Sequence, residues 1–414
     1  MSNRVRRKMF ASAVVLLAHA FVLQFVASAQ SWPTVFDPLV LRTFNLTLDP
    51  GDWDTIRFDT TNEIEVPAQF WTDDEAPILV TVRRKSSRAL PSEANPVKIG
   101  LKIDINELVG GQQWHGLVKL SLENAGDISA LYEGMAWQLH QLAAKARFYG
   151  PEAYPALANW VRVTINGENV GVYTNVEQRD TQFLRNRGIR VSGQTWLYEV
   201  DDIDSWALES GDPHSPTFTT LCYSPFSPAG KGKTSACPTP ADGILESMLN
   251  GLIEVDAMLA QGAVDAFTDN PDALFSHGKN FFFADFAHSG LKRRYYPWDL
   301  DAVFRSTTGN IYGKAGRRGV TQSPYQRILL NHSGLRARYN SILSAMVAPE
   351  GPLSETSVNA FLDALEPVLA PALAADPFVI EPPAATFEAL RNWISQRIPN
   401  VQAQIQANGP PSPR

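Results

Sequence analysis

The sequence has little cysteine: Cys222 and Cys237 are the only two in 414 residues. Structural zinc sites take several Cys or His ligands in closely spaced pairs. Neither these cysteines nor His277 and His288 have a partner at such a spacing, which excludes a zinc site of that kind. In an exported chain we expect the two cysteines to pair, and closing so short a loop would stabilise the fold by about 3 kcal/mol on a chain-entropy estimate.

The sequence also lacks an excess of positive charge and, beyond its N-terminus, a long apolar run. Lys and Arg number 36 against 43 Asp and Glu, so the formal net charge is −7. An acidic chain is not expected to have nucleic acid or an anionic membrane as its main partner. After the first apolar run, no segment is apolar enough to span a bilayer.

The first 29 residues carry the pattern of a secretory signal peptide. A basic patch precedes an apolar run from Phe10 to Val26, and Ala27-Ser28-Ala29 follows. This order predicts cleavage after Ala29 and a secreted location, either extracellular or periplasmic. The alternative is a retained membrane anchor, but the run is short and is interrupted by His19 and Gln24. Cleavage would remove four positive charges and no negative ones, moving the net charge from −7 to −11.

The mature chain divides by composition and by the period of its apolar residues. Alternation predicts a β-rich part with one main helix over 30–193. The next segment, 194–242, is rich in Pro and Ser and is predicted to be an insert tied by Cys222–Cys237. Helical spacing predicts a mainly helical part over 243–408, and the Pro-rich end, 409–414, is predicted to be disordered.

Within the β-rich part, strands are predicted near 41–56, where an edge strand would lead into a turn, and over 67–84, 97–105 and 116–122. Asn166-Gly167 predicts a tight hairpin between 160–165 and 170–176. Helices are predicted over 127–146, 244–262, 354–373 and 385–406.

A basic, Ser-rich connection, Arg83-Arg84-Lys85-Ser86-Ser87-Arg88, follows the second predicted strand region. Such a segment could hold phosphate, although it lacks a glycine-rich cradle. The alternative is a solvated loop between two strands.

Two carboxylates follow an apolar strand in the stretch from Tyr295 to Phe304. Asp299 and Asp301 are two residues apart, so strand alternation places them on the same face. Burying both without a cation is costly, or it forces a proton onto one of them. The pattern favours a metal or a basic partner, and the alternative is an acidic turn capped by backbone amides.

Upstream of this stretch, the order of elements resembles the smaller lobe of a protein kinase. Lys119 lies on the predicted strand 116–122 and faces away from the core. Glu133 lies on the next helix, and Glu177 lies at the exit of the hairpin. In kinases a strand lysine holds the nucleotide phosphates and is oriented by a helix glutamate.

The second half continues that order with Asp265, Asn280 and Asp299. Asn280 heads one predicted strand and Asp299 ends the next, so a hairpin would bring them to one metal ion. Kinases use a catalytic Asp, then an Asn and an Asp that hold Mg²⁺ against the phosphates.

Taken together, these segments resemble the spore coat protein H (CotH) kinase-like family, over roughly Phe44 to Phe304. The residues that carry the resemblance are Gly116-Leu117-Val118-Lys119-Leu120-Ser121-Leu122-Glu123-Asn124, Val161-Arg162-Val163-Thr164-Ile165-Asn166-Gly167-Glu168, Gly171-Val172-Tyr173, Val176-Glu177, Trp196-Leu197-Tyr198, Lys279-Asn280-Phe281-Phe282 and Pro297-Trp298-Asp299-Leu300-Asp301.

The resemblance implies an α+β, atypical protein-kinase-like fold with two lobes, a β-rich N-lobe and a mainly helical C-lobe. It also implies ATP with Mg²⁺ or Mn²⁺ as cofactors. The residues to which it gives roles are Asp265 as the catalytic acid/base, Lys119, Lys102, Glu133 and Glu177 at the nucleotide, and Asn280, Asp299 and Asp301 at the metal. Two assignments stay open: the catalytic position among Asp265, Asp269 and Asp272, and the nucleotide lysine among Lys98, Lys102 and Lys119.

Three functions remain as hypotheses. The first is a secreted kinase-like enzyme that transfers phosphate from Mg-ATP to Ser or Thr of an exported protein. The second is an exported binding or surface protein that has this fold without the transfer activity. The third is a hydrolase that uses the same carboxylates and a metal to activate water.

Overall fold

The protein belongs to the mixed α+β class, as predicted. The computed structural model describes residues 32–73, 75–85, 97–124, 130–150, 153–193, 195–200, 207–210, 242–286, 290–313, 323 and 325–408. The predicted signal peptide, both cysteines with their predicted disulfide, His288 and the C-terminal tail lie outside the described residues.

Seven strands of the first part form a closed barrel. They are β1 (Arg42–Thr47), β2 (Val66–Thr72), β3 (Ile78–Arg84), β4 (Leu101–Asp104), β5 (Lys119–Glu123), β6 (Ala158–Ile165) and β7 (Glu168–Glu177). Their order around the barrel is β1-β2-β3-β4-β5-β7-β6, and the parallel pairing of β1 with β6 closes it. Because β1 pairs on both sides, the prediction of an edge strand near 41 is wrong.

Side-chain alternation decides which residues fill the barrel. In β5, Leu120 and Leu122 belong to the barrel core. Lys119, Ser121 and Glu123 therefore lie on the outer face of the same strand. The predicted orientation of Lys119, away from the core, is confirmed.

The hairpin predicted at Asn166-Gly167 is confirmed as the turn between β6 and β7. Ile165 pairs with Glu168, so two residues form the loop. The φ angles of Asn166 and Gly167 are 52° and 85°, the left-handed values that a tight turn of this length requires. The Asn166 side chain also accepts a hydrogen bond from the Leu48 amide at 3.0 Å, which ties the turn to the end of β1.

Two helices accompany the barrel. Helix α1 (Pro50–Phe58) occupies a segment predicted as strand and turn: Asp49 caps it by accepting from the Gly51 amide, and Pro50 starts its first turn. Helix α2 (Ala130–Lys145) confirms the predicted helix that carries Glu133. It packs against the outer face of β6 and β7. Gly134 lies against the ring of Trp160 so closely that a Cβ would clash, which explains the glycine.

A second sheet has the order β11-β10-β8-β9. Its strands are β8 (Thr195–Val200), β9 (Ala207–Ser210), β10 (Phe281–Phe286) and β11 (Arg294–Pro297). The rings of Tyr198 and Phe283, which are paired across β8 and β10, stack with their centroids 4.7 Å apart. Strands β8 and β9 fall in the range 194–242, so the predicted insert begins with residues of this sheet. Residues 211–241 lie outside the described part.

The remaining described α-helices are α3 (Thr181–Asn186), α4 (Asp242–Leu252), α5 (Val255–Phe267), α6 (Ser333–Met346), α7 (Glu355–Ala374) and α8 (Pro383–Ala407). A short 3-10 helix, Trp32–Phe36, and a π-helix, Gln326–Leu330, are also described. Helices α7 and α8 confirm the last two predicted helices. The helix predicted over 244–262 is two helices, because the chain breaks at Ile253 to form a bridge with Arg293. No helix among the described residues is long and apolar enough to cross a membrane.

A buried ion pair joins the barrel to the connection between α7 and α8. The Lys98 ammonium donates to Asp376 Oδ2 at 2.6 Å and to the carbonyl oxygen of Val172 at 2.9 Å. Asp376 Oδ2 also accepts from the Val172 amide at 2.7 Å. Gly171 has a φ of 110° and lies directly against this carboxylate, where a side chain would collide with it. Lys98, an open candidate for the nucleotide lysine, therefore has a structural partner.

Arg397 of α8 fastens the loop that follows the Asp299 motif. Its guanidinium is fully buried and donates to four backbone carbonyl oxygens. Two of them, in Ala266 and Phe267, end helix α5, and the other two belong to Thr307 and Gly309 of the loop. Helix α8 thus fixes the loop to the end of α5.

We expect Arg397→Met to destabilise the protein by about 3 kcal/mol or more, because each buried acceptor left unsatisfied costs about 1–3 kcal/mol. The measurement is the free energy of unfolding from urea denaturation. The matched control is Arg391→Met on the same helix, which removes a partly exposed ion pair with Asp363 and Glu366 and should cost about 0–1 kcal/mol. Equal effects of the two substitutions would contradict this account of Arg397.

Candidate functional site

The polar ends of the β10–β11 hairpin meet, as the sequence predicts. Phe281 pairs with Pro297, which places Asn280, just before β10, beside the residues that follow β11. The Asn280 side-chain amide donates to Asp299 Oδ2 at 3.1 Å, and the Trp298 amide donates to the Asn280 carbonyl oxygen at 3.1 Å. Both Asn280 and Asp299 have left-handed backbones, with φ of 56° and 50°. Asn and Asp tolerate this conformation better than most residues, although it still carries strain.

Trp298, which precedes Asp299, is the apolar support of the site. Its ring packs edge-on against Phe282 and Trp137, with centroids 5.7 Å and 6.4 Å away. The guanidinium carbon of Arg179 lies 3.2 Å from the centre of the Trp298 ring. Arg179 is fully buried and also donates to the carbonyl oxygen of Pro297. A buried cation therefore supports the end of β11, after which the two carboxylates follow. The prediction that strand alternation places Asp299 and Asp301 on one face is wrong, because both lie beyond the strand and Asp299 has a left-handed backbone.

Lys85 is the lysine that the structure brings to this site. Its ammonium lies 4.5 Å from the centre of the Trp298 ring and forms an ion pair with Glu123 on β5. Burial lowers the pKa of Lys85 to about 8, against the opposing charges of Asp299 and Glu133. Sequence reasoning placed Lys85 only in a basic segment that could hold phosphate, and residues 86–96 of that connection lie outside the described part.

Glu133 reaches the same site from helix α2. The pKa of Glu133 is raised to about 8, mainly by burial and also by the charges of Asp299 and Asp301, while the charge of Lys85 acts in the opposite direction. Glu133 therefore lies within reach of the charge of Asp299 in the structure. Three carboxylates from two distant segments of the chain act on one another here, with Lys85 as a nearby positive charge.

The predicted pairing of Lys119 with Glu133 is replaced by another contact. Lys119 forms an ion pair with Asp104 at 2.7 Å across the β4–β5 ladder. Register is the physical reason, because β5 pairs with β4 so that these two residues stand opposite each other. Lys102 lies on the same outer face, two residues before Asp104 on β4 and opposite Ser121, and its charge acts on Lys85. We call Lys102, Lys119, Ser121 and Glu123 the outer strip of the barrel.

Glu177 is buried at the exit of β7 and has protein partners. It forms an ion pair with Arg187 at 2.8 Å and accepts from the Leu157 amide at 3.1 Å. Glu177 and Lys119 nevertheless line one small pocket, together with Asp180 and Phe183. Burial raises the pKa of Asp180, and the charge of Glu177 adds to this rise.

The three candidate catalytic aspartates have different surroundings. Asp265 lies inside helix α5, is 3% exposed, and contacts His140. Asp269 is equally buried and accepts from the Ser306 amide at 2.9 Å. Asp272 alone of the three keeps substantial exposure, 24% of its side chain.

Asp272 is held by two basic side chains. Its carboxylate lies 2.8 Å from His277 Nδ1 and 3.3 Å from the Lys279 ammonium. Burial raises the pKa of Asp272, but the hydrogen bond from His277 and the charge of Lys279 outweigh it, so the pKa lies below its ordinary value. Lys279 directly precedes Asn280, which connects Asp272 to the hairpin end.

The donors at the hairpin end fit a small divalent cation. Asp299 and Asp301 supply carboxylate oxygens and Asn280 an amide oxygen, the hard ligands that Mg²⁺ prefers. In the part of the chain that is described, no three His, Cys, Asp or Glu side chains form a cluster that could hold a metal alone.

Comparison with known proteins identifies one family. A family model described as CotH kinase protein matches residues 92–401. The match includes α2, the β10–β11 hairpin and the Asp299 motif, and it begins after Lys85. No curated protein matches the chain.

We expect Asp299→Asn to lower the pKa of Glu133 from about 8, because it removes a negative charge that favours the protonated form. Side-chain carboxyl carbon NMR of the metal-free protein measures this directly. Asp272→Asn is the control, since Asp272 pairs with His277 and Lys279 instead. An unchanged Glu133 titration in Asp299→Asn would show that the two carboxylates are not neighbours.

Proposed function

The chain belongs to the CotH kinase family, and on this premise we propose that it is a secreted kinase that transfers phosphate from Mg-ATP to Ser or Thr of exported proteins. The observation that carries the proposal is the meeting of Lys85 and Glu133 with Asp299 and Asp301. We also propose that the barrel with α2 and the helical part with the second sheet are the two lobes of an atypical protein-kinase-like fold.

The charges of the site suit phosphoryl transfer. This reaction needs positioning and charge neutralisation more than covalent chemistry from the protein. The Lys85 ammonium would donate to phosphate oxygens, and Glu133 would orient it from α2. Glu123 competes for Lys85 in the present arrangement, so nucleotide binding would exchange one anionic partner for another.

The metal would be held by Asp299, Asn280 and Asp301. When bound, it would neutralise charge on the phosphates. The chain itself would fix the ligand oxygens in place. The Asn280 side chain donates to Asp299, and the Arg179 guanidinium packs against the ring of Trp298, the residue before Asp299.

Asp272 is the aspartate that we propose for the acceptor hydroxyl. It is the most exposed of the three candidates, and its carboxylate is ionised at neutral pH, which is the form that can accept a proton. The acceptor oxygen would bond to the γ-phosphorus while the bond to the β-phosphate oxygen breaks. ADP leaves, and the hydroxyl proton passes to Asp272. The assignment of Asp265 as the catalytic acid/base stays a prediction from the sequence. The buried contact of Asp265 with His140 does not support that role.

The outer strip offers a path for the rest of the nucleotide. Lys119 and Glu123 are four residues apart on β5, which corresponds to about 13 Å along a strand. We propose that the phosphates lie at the Glu123 end, near Lys85, and that the nucleoside extends toward the pocket of Lys119 and Glu177. Lys102 would then lie between the two ends. Lys102, Lys119 and Glu177 would thus contact the nucleotide, as the sequence predicts, but away from the phosphate that is transferred.

Lys85→Met is expected to lower kcat/KM for phosphate transfer by about 10²–10³, the usual effect of removing one group that stabilises transition-state charge. The assay follows labelled phosphate from Mg-ATP into a Ser-rich protein acceptor. Lys119→Met is the comparison, because Lys119 pairs with Asp104 and would lie at the nucleoside end, away from the phosphates, so its loss should be smaller and mainly in KM. A larger loss in Lys119→Met than in Lys85→Met would overturn the lysine assignment.

Asp299→Ala is expected to abolish transfer and the gain in nucleotide affinity that Mg²⁺ provides, because the variant loses a metal ligand. Thermal shift with ATP, with and without Mg²⁺ or Mn²⁺, measures the second effect. If the unaltered protein shows no shift with any nucleotide and metal, the alternative of an exported binding protein replaces the enzyme. Phosphate release without an acceptor would instead identify a hydrolase.

A further inference from the structure

One face of helix α2 connects the candidate site to the core of the helical part. Glu133, Trp137 and His140 are four and three residues apart, so they lie one above the other on the helix. Glu133 belongs to the site, and the Trp137 ring lies 6.4 Å from that of Trp298. His140 reaches Asp265 of helix α5. Any shift of α2 along its axis would therefore move Glu133 and break the contact with Asp265.

His140 joins two groups that are buried with it. Its Nε2 lies 3.3 Å from Asp265 Oδ1, and its Nδ1 lies 2.5 Å from the Tyr149 hydroxyl oxygen. All three side chains are buried, with His140 at 0% and Asp265 and Tyr149 at 3% exposure. Hydrogen bonds shielded from water in this way are strong, and losing one partner leaves the other unsatisfied.

The direction of one of the two hydrogen bonds follows from the aspartate. A carboxylate can only accept, so the imidazole of His140 carries a proton on Nε2 and donates it to Asp265 Oδ1. Burial raises the pKa of Tyr149 well above its ordinary value, and the charge of Asp265 adds to the rise, so the phenol keeps its proton beside Nδ1 of His140.

The geometry points to His140 and Asp265 as a positioning pair that fixes α2 along its axis. The pair thereby keeps Glu133 in place beside the Asp299 motif. The carboxylate of Asp265 thus acts through the helix and does not contact the acceptor hydroxyl. The effect on phosphate transfer rests on the proposed function. The effect on the helix does not, because it depends only on the buried contact.

Asp265→Asn and Asp265→Ala separate this role from acid/base catalysis. The Asn side chain can still accept from His140 Nε2, so Asp265→Asn should keep most of kcat and leave KM for ATP unchanged. Asp265→Ala loses the contact and should raise KM and lower kcat, by up to about 10²-fold for a misplaced group. If Asp265 were the general base, Asp265→Asn would lose about 10²–10⁴ in kcat and match Asp265→Ala, which would overturn the proposal.

Hydrogen exchange of α2 provides a readout that does not depend on activity. Asp265→Ala and His140→Leu should both speed the exchange of amides in 130–145, whereas Asp265→Asn should protect them like the unaltered protein. The double variant His140→Leu with Asp265→Leu leaves no unpaired charge and covers the case in which a single variant fails to fold. Unchanged exchange in this double variant would overturn the proposal. If the unaltered protein shows no phosphate transfer, the proposed function fails while the exchange result still decides the role of the pair.

Discussion

The burial of like charges beside a tryptophan is the constraint on which the site depends. Glu133 is buried, and the charges of the half-buried Asp299 and Asp301 act on it, which together raise its pKa to about 8. Such a cluster persists only with cations nearby. Two basic groups at the Trp298 ring, Lys85 and the fully buried Arg179, meet this need within the protein. The carboxylates are thus held in place before any substrate arrives, at the expense of local stability.

Much of the fold follows from local pattern. Alternation in β5, the Asn166-Gly167 turn and the periodicity of α7 and α8 are properties of short segments, and the sequence predicts them correctly. The meeting of Asn280 and Asp299 is also local, because it needs only a hairpin between neighbouring strands. Helix α1 had a readable signal in the cap Asp49 and in Pro50, but the apolar alternation before it favoured a strand.

The choice of lysine could not be made in this way. Lys119 satisfies the order of elements, yet cross-strand register gives it Asp104 as a partner, and register is set by pairings far apart in sequence. Lys85 follows the last residue of β3 in a basic run with no periodic signal, so nothing in the sequence ranks it above its neighbours. The burial of Asp265 could not be predicted from the sequence either, because it depends on how α5 packs against α2.

The ion pair of Lys98 with Asp376 has a consequence for how the chain reaches its native state. Its partners are 278 residues apart, whereas all seven strands of the barrel precede residue 178. During synthesis the barrel strands emerge long before Asp376 does. Until then, the Lys98 ammonium cannot form its ion pair with Asp376. The buried contact between the barrel and the connection between α7 and α8 therefore forms late, after most of the chain has been made. Contacts this distant in sequence favour slow folding.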